Sequence, residues 1–308
     1  MFQILKNKIK LCMAIFNDLM IIFSAYYYKY RAINKGLIGV KFDNFGRNLG
    51  WKIIKNNNYS IGKMLIMHPV NIVRYFEFQF VYESNNWLNC HKLLDISSPR
   101  MFALYVADNH PHINYNYINP DVKDTEETIK VLTASPKPFN NLVLANEDAT
   151  KLNYPDSYFD TIISISVIEH IPNNGDIEAL QEMWRVLSLG GNLIITVPFM
   201  PNYFEEYLDF DEYGLYSSNS EGKYFGSRYY DIHSLKHRVF ETLGKNPDKI
   251  NVFGEIETGT FFKYREREWN TGILESIKDP YYIANEYKLF DKLDDIPGLA
   301  VIGLVFKK

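Results

Sequence analysis

A doubly wound, mostly parallel α/β sheet is the fold class this chain predicts. From Lys92 onward, short apolar stretches alternate with stretches of helical periodicity, the texture of strand–helix–strand units. Polar turns rich in Asp, Ser, Asn, Pro and Gly separate them. The 308 residues, 46% hydrophobic and 23% charged, suffice for one large domain or a core domain with a cap.

Residues 1–35 read as a helix. Leu11 to Tyr28 is rich in large apolar residues and follows Lys6, Lys8 and Lys10. Asn17 and Asp18 interrupt it, so no apolar run approaches the ~18–20 residues that span a bilayer. Tyrosines fill the place where a cleavable signal needs small residues. A helix docked on the core is expected, with peripheral membrane contact as the alternative. Gly36, Gly39, Gly46, Gly50 and the Asn56-Asn57-Asn58 run predict irregular chain with short strands over 36–62. Pro69 then marks a helix start. Residues 1–81 are therefore assigned to an N-terminal cap and 82–308 to the main domain.

In that domain, strand Lys92–Ile96 precedes helix Pro99–Asp108, and strand Ile113–Ile118 precedes the polar stretch Asp121–Val131, a short helix. Strands Leu142–Ala145 and Thr161–Ser166 follow, then helix Asp176–Leu187 and, after Gly190-Gly191, strand Asn192–Val197. Residues 201–230 break the rhythm. They are acidic and aromatic, and read as an insertion or lid, of the kind that is disproportionately functional. A helix ending at Gly244 comes next, then strand Ile250–Ile256 and a final apolar strand that closes the sheet.

The segment from Asn146 to Phe199 is the most specific. Asp148-Ala149 lies just past one strand and Glu169-His170 just past the next, the edge where open α/β sheets bind ligands. Asp148-Ala149, Leu152 to Asp160, Glu169-His170, Arg185-Val186-Leu187, Gly190-Gly191 and Pro198 stand in this order and spacing. The segment resembles the class I S-adenosylmethionine-dependent methyltransferases, in their small-molecule, type 11-like branch, and with Asp95 the likeness extends over roughly residues 90–200. The resemblance implies a seven-stranded Rossmann-like sheet, S-adenosylmethionine as cofactor, and an enzyme that methylates. It also implies that Asp148 accepts from the adenine amino group while the Ala149 N–H pairs with a ring nitrogen.

The first turn departs from the family pattern Asp-x-Gly-x-Gly-x-Gly. Asp95 keeps the acidic place, while Ser97, Pro99 and Met101 occupy the glycine places. A dinucleotide pyrophosphate would need backbone N–H groups at the helix start, and Pro99 has none. S-adenosylmethionine carries no phosphate, so the hydroxyls of Ser97 and Ser98 can replace backbone contacts, with Ser98 capping a helix that begins at Pro99. After the second strand, Asp121 or Asn119 is the candidate for the ribose hydroxyls. Ser166 completes the cofactor set: Asp95, Ser97, Ser98, Asn119, Asp121, Asp148, Ala149 and Ser166.

His170 is the candidate catalytic residue, as general base or as an orienting hydrogen-bonder. Arg74 either meets the cofactor's carboxylate or pairs with Glu77, one turn along. His233 and His237 share a helix face but lack a third ligand, and no metal site is expected. A net charge of −4 and the acidic insertion count against nucleic-acid partners. The two cysteines, Cys12 and Cys90, fit a reducing cytoplasm. Aromatic rings beside carboxylates at 203–213 suit polyhydroxylated or cationic small-molecule acceptors. The expected function is methyl transfer to an oxygen or nitrogen of a small molecule, a sugar or cell-surface glycan intermediate being preferred. The alternative is a methyltransferase fold that binds or scaffolds without catalysis.

Overall fold

The computed structural model describes the backbone of residues 2–308 and the side chains of Lys6, Met13 and every residue from Phe16 on. The cap is helical throughout: α1 (Phe2–Ile33), α2 (Val40–Lys55), α3 (Tyr59–Met67) and α4 (Arg74–Glu83). The short strands expected over 36–62 are absent, and the glycines there serve a different purpose. A Cβ on Gly50 would lie 2.6 Å from the Gly62 carbonyl oxygen, and one on Gly62 2.5 Å from that of Gly50. α2 and α3 thus cross backbone to backbone, at a separation that only glycine allows.

The main sheet follows: β1 (Lys92–Ile96), α5 (Arg100–Asn109), β2 (Asn114–Ile118), α6 (Val122–Ala134), β3 (Leu142–Ala145), β4 (Phe159–Ile165), α7 (Gly175–Val186) and β5 (Leu187–Phe199). Residues 201–230 form a two-stranded antiparallel ribbon, β6 (Phe204–Leu208) and β7 (Tyr224–Tyr229). The helix ending at Gly244 runs as α8 (Ile232–Leu235), a wider π turn over Lys236–Phe240, and α9 (Glu241–Leu243). Then come β8 (Lys249–Glu255), α10 (Thr260–Thr271), α11 (Ile273–Ser276), α12 (Asp279–Glu286), β9 (Tyr287–Phe290) and β10 (Ala300–Lys307).

The sheet has eight strands in the order β3-β2-β1-β4-β5-β10-β8-β9, one more than the seven expected. β1 to β5 pair in parallel, whereas β10 runs antiparallel between β5 and β8. The final strand is therefore central, and the short β9, which the sequence reading missed, forms the edge. Strand order reverses between β1 and β4, which opens a crevice at the carboxyl ends of the parallel strands.

Alternate residues of each strand face two cores. Leu93, Ile163 and Ile194 pack with Phe42, Tyr75, Phe78 and Phe102 of the cap side. Leu94, Ile162 and Ile195 pack with Leu180 and Met183 of α7. The cap thus shares a core with the sheet, and the expected division after residue 81 falls inside α4. A buried ionic cluster ties the cap helices together: Asp43 pairs with Arg47 at 2.8 Å and Lys29 at 2.6 Å, and accepts from the Tyr75 hydroxyl at 2.8 Å. The second half of α1 docks through Ile22 and Ala25 against Ile66, Met67 and Ile277. Among the described residues no helix is long and apolar enough to cross a membrane.

Candidate active site

A cavity of about 1010 Å³ lies over the carboxyl edge of the parallel strands. One wall is the sheet edge itself, with Ser97 after β1, Asn119 and Asp121 after β2, Asp148 and Ala149 after β3, and Ser166 after β4. A second wall comes from the cap, with His68, Asn71 and Arg74. The loop between β6 and β7 supplies the third, with Glu212, Tyr213 and Tyr216, beside His170.

The glycine-free first turn keeps a glycine-like backbone. Ser97 adopts φ 50°, the left-handed region that glycine ordinarily fills, and its N–H and hydroxyl both donate to the Ile118 carbonyl, at 2.8 and 2.9 Å. These local bonds hold a serine in a conformation that costs about 1 kcal/mol or more. Ser166 repeats the device at φ 49° after β4.

Two expected cofactor contacts need correction. Asp95 and Ser98 are fully buried and do not line the cavity. Asp95 accepts from the Ser98 N–H at 2.9 Å and from the Tyr115 hydroxyl at 2.5 Å. Burial pushes its carboxyl up to about 6, against the opposing pull of those bonds. Ser98 does not cap α5 either, because its hydroxyl accepts from the Ile165 N–H at 3.2 Å. Both residues shape the turn from behind by tying β1 to β2 and β4.

The carboxyl end of β2 is a polar cluster. The Asn119 amide donates to Asp124 at 3.0 Å and accepts from the Asp121 N–H at 2.9 Å. Asp121 caps α6 by accepting from the Lys123 N–H at 2.8 Å, and Arg100 pairs with Asp124. After β3, the exposed Asp148 carboxylate is oriented by Thr150, whose N–H and hydroxyl donate to it at 2.9 and 2.8 Å.

Glu77 is the hub between cap and sheet. Fully buried on α4, it accepts from Arg74, from the Ser166 hydroxyl and, at 2.6 Å, from the Thr196 hydroxyl of β5. Arg74 therefore has both roles weighed for it in reach: it pairs with Glu77 and lines the cavity. Glu169, buried beneath the site, has one carboxyl oxygen without a partner, and burial pushes it up to about 8. Burial thus favours its neutral acid form.

His170 is fixed by the ribbon. Its Nδ1–H donates to the Gly226 carbonyl of β7 at 2.7 Å, and its ring meets Tyr213 edge-on with centroids 5.2 Å apart. Burial pulls it down to about 4, so it is neutral near pH 7. The ribbon itself is anchored through the buried Arg228, which pairs with Asp176 of α7 at 3.3 Å and donates to the Asn173 carbonyl at 2.8 Å. Arg228 also faces Glu205, and Arg265 of α10 pairs with Glu206. Much of the insertion's acidity is thus neutralised locally, while Glu212 remains on the cavity wall.

A second histidine escaped the sequence reading. His68, just past α3, lines the cavity and bonds through Nε2 to Asp279 of α12 at 2.7 Å. Asp279 is fully buried and also accepts from the Tyr264 hydroxyl at 2.5 Å. Burial alone would lower His68, but the Asp279 carboxylate outweighs it and holds the imidazole above the ordinary histidine value. Glu268 acts in the same direction and Arg47 against it. No sequence signal joins residues 211 positions apart.

The cavity fits a nucleoside-sized cofactor in volume and chemistry. It offers carboxylates at the β2 and β3 ends for ribose and adenine donors, and a guanidinium for a carboxylate. A mostly parallel sheet reversing at β1/β4, with such a cavity at the reversal, is the Rossmann-like arrangement in which a ligand lies across the carboxyl edge of the strands. Residues 102–195 match the model of the family described as a methyltransferase domain. No curated protein matches the sequence. Solved structures with a similar course include an S-adenosylmethionine-dependent methyltransferase from Thermotoga maritima, 13% identical, covering 82% of this chain and 99% of its own, TM-score 0.43. Another, from Methanosarcina mazei, is 14% identical over 73% of this chain and 95% of its own, TM-score 0.44. Coclaurine N-methyltransferase, solved with N-methylheliamine and S-adenosylhomocysteine, is 11% identical over 70% of this chain and 65% of its own, TM-score 0.40.

Proposed function

We propose that the chain methylates an oxygen or nitrogen of a small polar acceptor, with a hydroxyl of a sugar or glycan intermediate the preferred target. The observation that carries this reading is the composition of the wall facing the cofactor edge. Glu212, Tyr213, Tyr216 and His170 present carboxylate, phenol and imidazole groups beside aromatic faces, a surface suited to hydroxyl-rich molecules. The cofactor supplies an electrophilic methyl on a sulfonium, and the protein's task is chiefly in-line positioning. In this reading Ser97 and Ser166 border the methionine portion, with Arg74 facing its carboxylate. Asn119 and Asp121 take the ribose, and Asp148 with the Ala149 N–H takes the adenine.

Two histidines divide the acceptor chemistry. His170, neutral with its Nδ1–H committed to Gly226, orients the acceptor through Nε2. His68, held by Asp279, accepts the proton that an acceptor hydroxyl loses on methylation. The sheet-edge and cap walls thus have different work: the sheet edge, with Arg74, holds the cofactor, and His68 on the cap side takes the proton.

The test is tritiated methyl transfer from S-adenosylmethionine to parallel panels of nucleotide sugars, free monosaccharides and small amines, beside calorimetric titration with S-adenosylhomocysteine. The reading expects binding heat and base-stable label on hydroxylated acceptors. Label on amines alone would overturn the hydroxyl preference. An absence of binding heat would favour the non-catalytic scaffold.

A further inference from the structure

The first helix has two apolar faces, and the body of the protein covers one. Ile22, Ala25 and Ala32 are buried against the rest of the cap. On the opposite side Met13, Phe16, Met20, Phe23, Tyr27 and Tyr30 stand in solvent, each half or more exposed and Phe23 70% so. Their spacing is three, four, three, four, three, the 3.5-residue repeat of a seam between two helices. Over 17 residues the stripe runs about 26 Å along the helix. Leu19, Tyr26 and Ile33 border it along one edge.

We propose that this stripe is the interface of a homodimer, in which α1 of one copy packs on α1 of a second around a two-fold axis. Three features favour a second copy over a lipid surface. The strict heptad register is what knobs-into-holes packing of helix on helix requires, whereas an in-plane lipid helix needs only a broad apolar face. The extent also fits. The stripe and its border bring nine large apolar side chains, each at least 36% exposed, onto one contiguous face, far more than scattered surface hydrophobes. Among the described residues from Met13 to Ile33, no row of cations flanks the stripe as it would on an in-plane helix held to anionic lipid. Between Met13 and Ile33 the cations are Lys29 and Arg31. Lys29 is buried on Asp43, and Arg31 donates to the Tyr27 hydroxyl at 2.9 Å. The basic residues Lys6, Lys8 and Lys10 all precede the stripe. A two-fold pairing is self-complementary, so one stripe suffices for both partners and closes the assembly at two.

Light scattering during size exclusion tests this on the full chain, together with the variants Met20→Glu, Phe23→Glu and Phe23→Ser. The chain of 36.1 kDa should elute at twice that mass. Each glutamate variant should run as a monomer, with self-association weakened at least about 100-fold, and Phe23→Ser should weaken it less. Both side chains are solvent-exposed in the single copy, so unchanged circular dichroism and S-adenosylhomocysteine affinity should accompany the loss. Leu189→Glu, at an exposed apolar residue outside the stripe, should leave the dimer intact. A monomeric parent at tens of micromolar overturns the proposal, as do glutamate variants that remain dimeric. A monomeric parent that co-sediments with phosphatidylcholine–phosphatidylserine vesicles would assign the stripe to a membrane surface instead.

Discussion

The two long walls of the cavity are built in opposite ways. The sheet-edge wall is made of residues that each follow a strand, so the chain delivers Ser97, Asn119, Asp148 and Ser166 to one edge by alternation alone. The cap-side wall is made by tertiary packing. His68 follows a helix before the sheet begins, and Asp279 starts one after six of its eight strands. The first wall has the local order of a motif, while the second exists only once the N- and C-terminal helices meet. With the proposed function, the difference predicts that cofactor binding and acceptor chemistry are separable by mutation.

The largest separation should come from the dyad. His68→Ala should lower turnover by about 100-fold or more while leaving S-adenosylhomocysteine affinity within about threefold. Asp279→Asn should also slow the reaction and move the acid limb of the pH–rate profile to lower pH. The sign follows from charge: Asp279 raises His68, so its neutralisation lets His68 lose its proton earlier. A purely structural ion pair would leave that limb in place.

On the opposite wall, Asp148→Ala should weaken S-adenosylhomocysteine by roughly 1–3 kcal/mol, the cost of leaving a donor unpaired. Turnover at saturating cofactor should change much less.

Beneath both walls, Glu169 links the site to stability. Its folded value of about 8 lies above that of an unfolded glutamate, so the folded state retains a proton that the unfolded state has lost. Stability from this group is present below about pH 4.3 and falls as pH rises to about 8, by up to about 1.4 kcal/mol per pH unit. Thermal melts from pH 5 to 8 should flatten in Glu169→Gln. An unchanged slope would place the ionised form in the folded protein.

The smallest effect belongs to the first turn. Ser97→Gly relieves the left-handed backbone but removes the hydroxyl bond to Ile118, so stability and cofactor affinity should each change by under about 1 kcal/mol. Ser97→Leu should abolish binding by filling the cofactor edge.

The contrast between the walls also explains what was legible in the chain. The parallel strands, α7, and the placement of Asp148, Ala149 and His170 follow from periodicities and turns that act over a few residues. The cap was misread because Gly50 and Gly62 look like loop residues until α2 and α3 are seen to touch. The ribbon's acidic, aromatic sequence shows no clean period, because its loop is shaped by Asp211 accepting backbone N–H groups of Tyr213, Gly214 and Tyr216. Asp95 and Ser98 were placed in the correct turn but assigned to its outer surface. A five-residue strand does not reveal which side of the turn its last carboxylate faces, and here Tyr115 draws it inward. β9 is too short, and too far from its partner β8, to stand out.

The central claim is that the cofactor lies on the sheet-edge wall and the proton acceptor on the other. Calorimetric titration of S-adenosylhomocysteine into Asp148→Ala and His68→Ala, side by side, tests it most directly. The account predicts a loss of about fivefold or more for Asp148→Ala and near-parental affinity for His68→Ala. The reverse pattern would contradict it, placing the cofactor against the cap and the acceptor over the β3 edge.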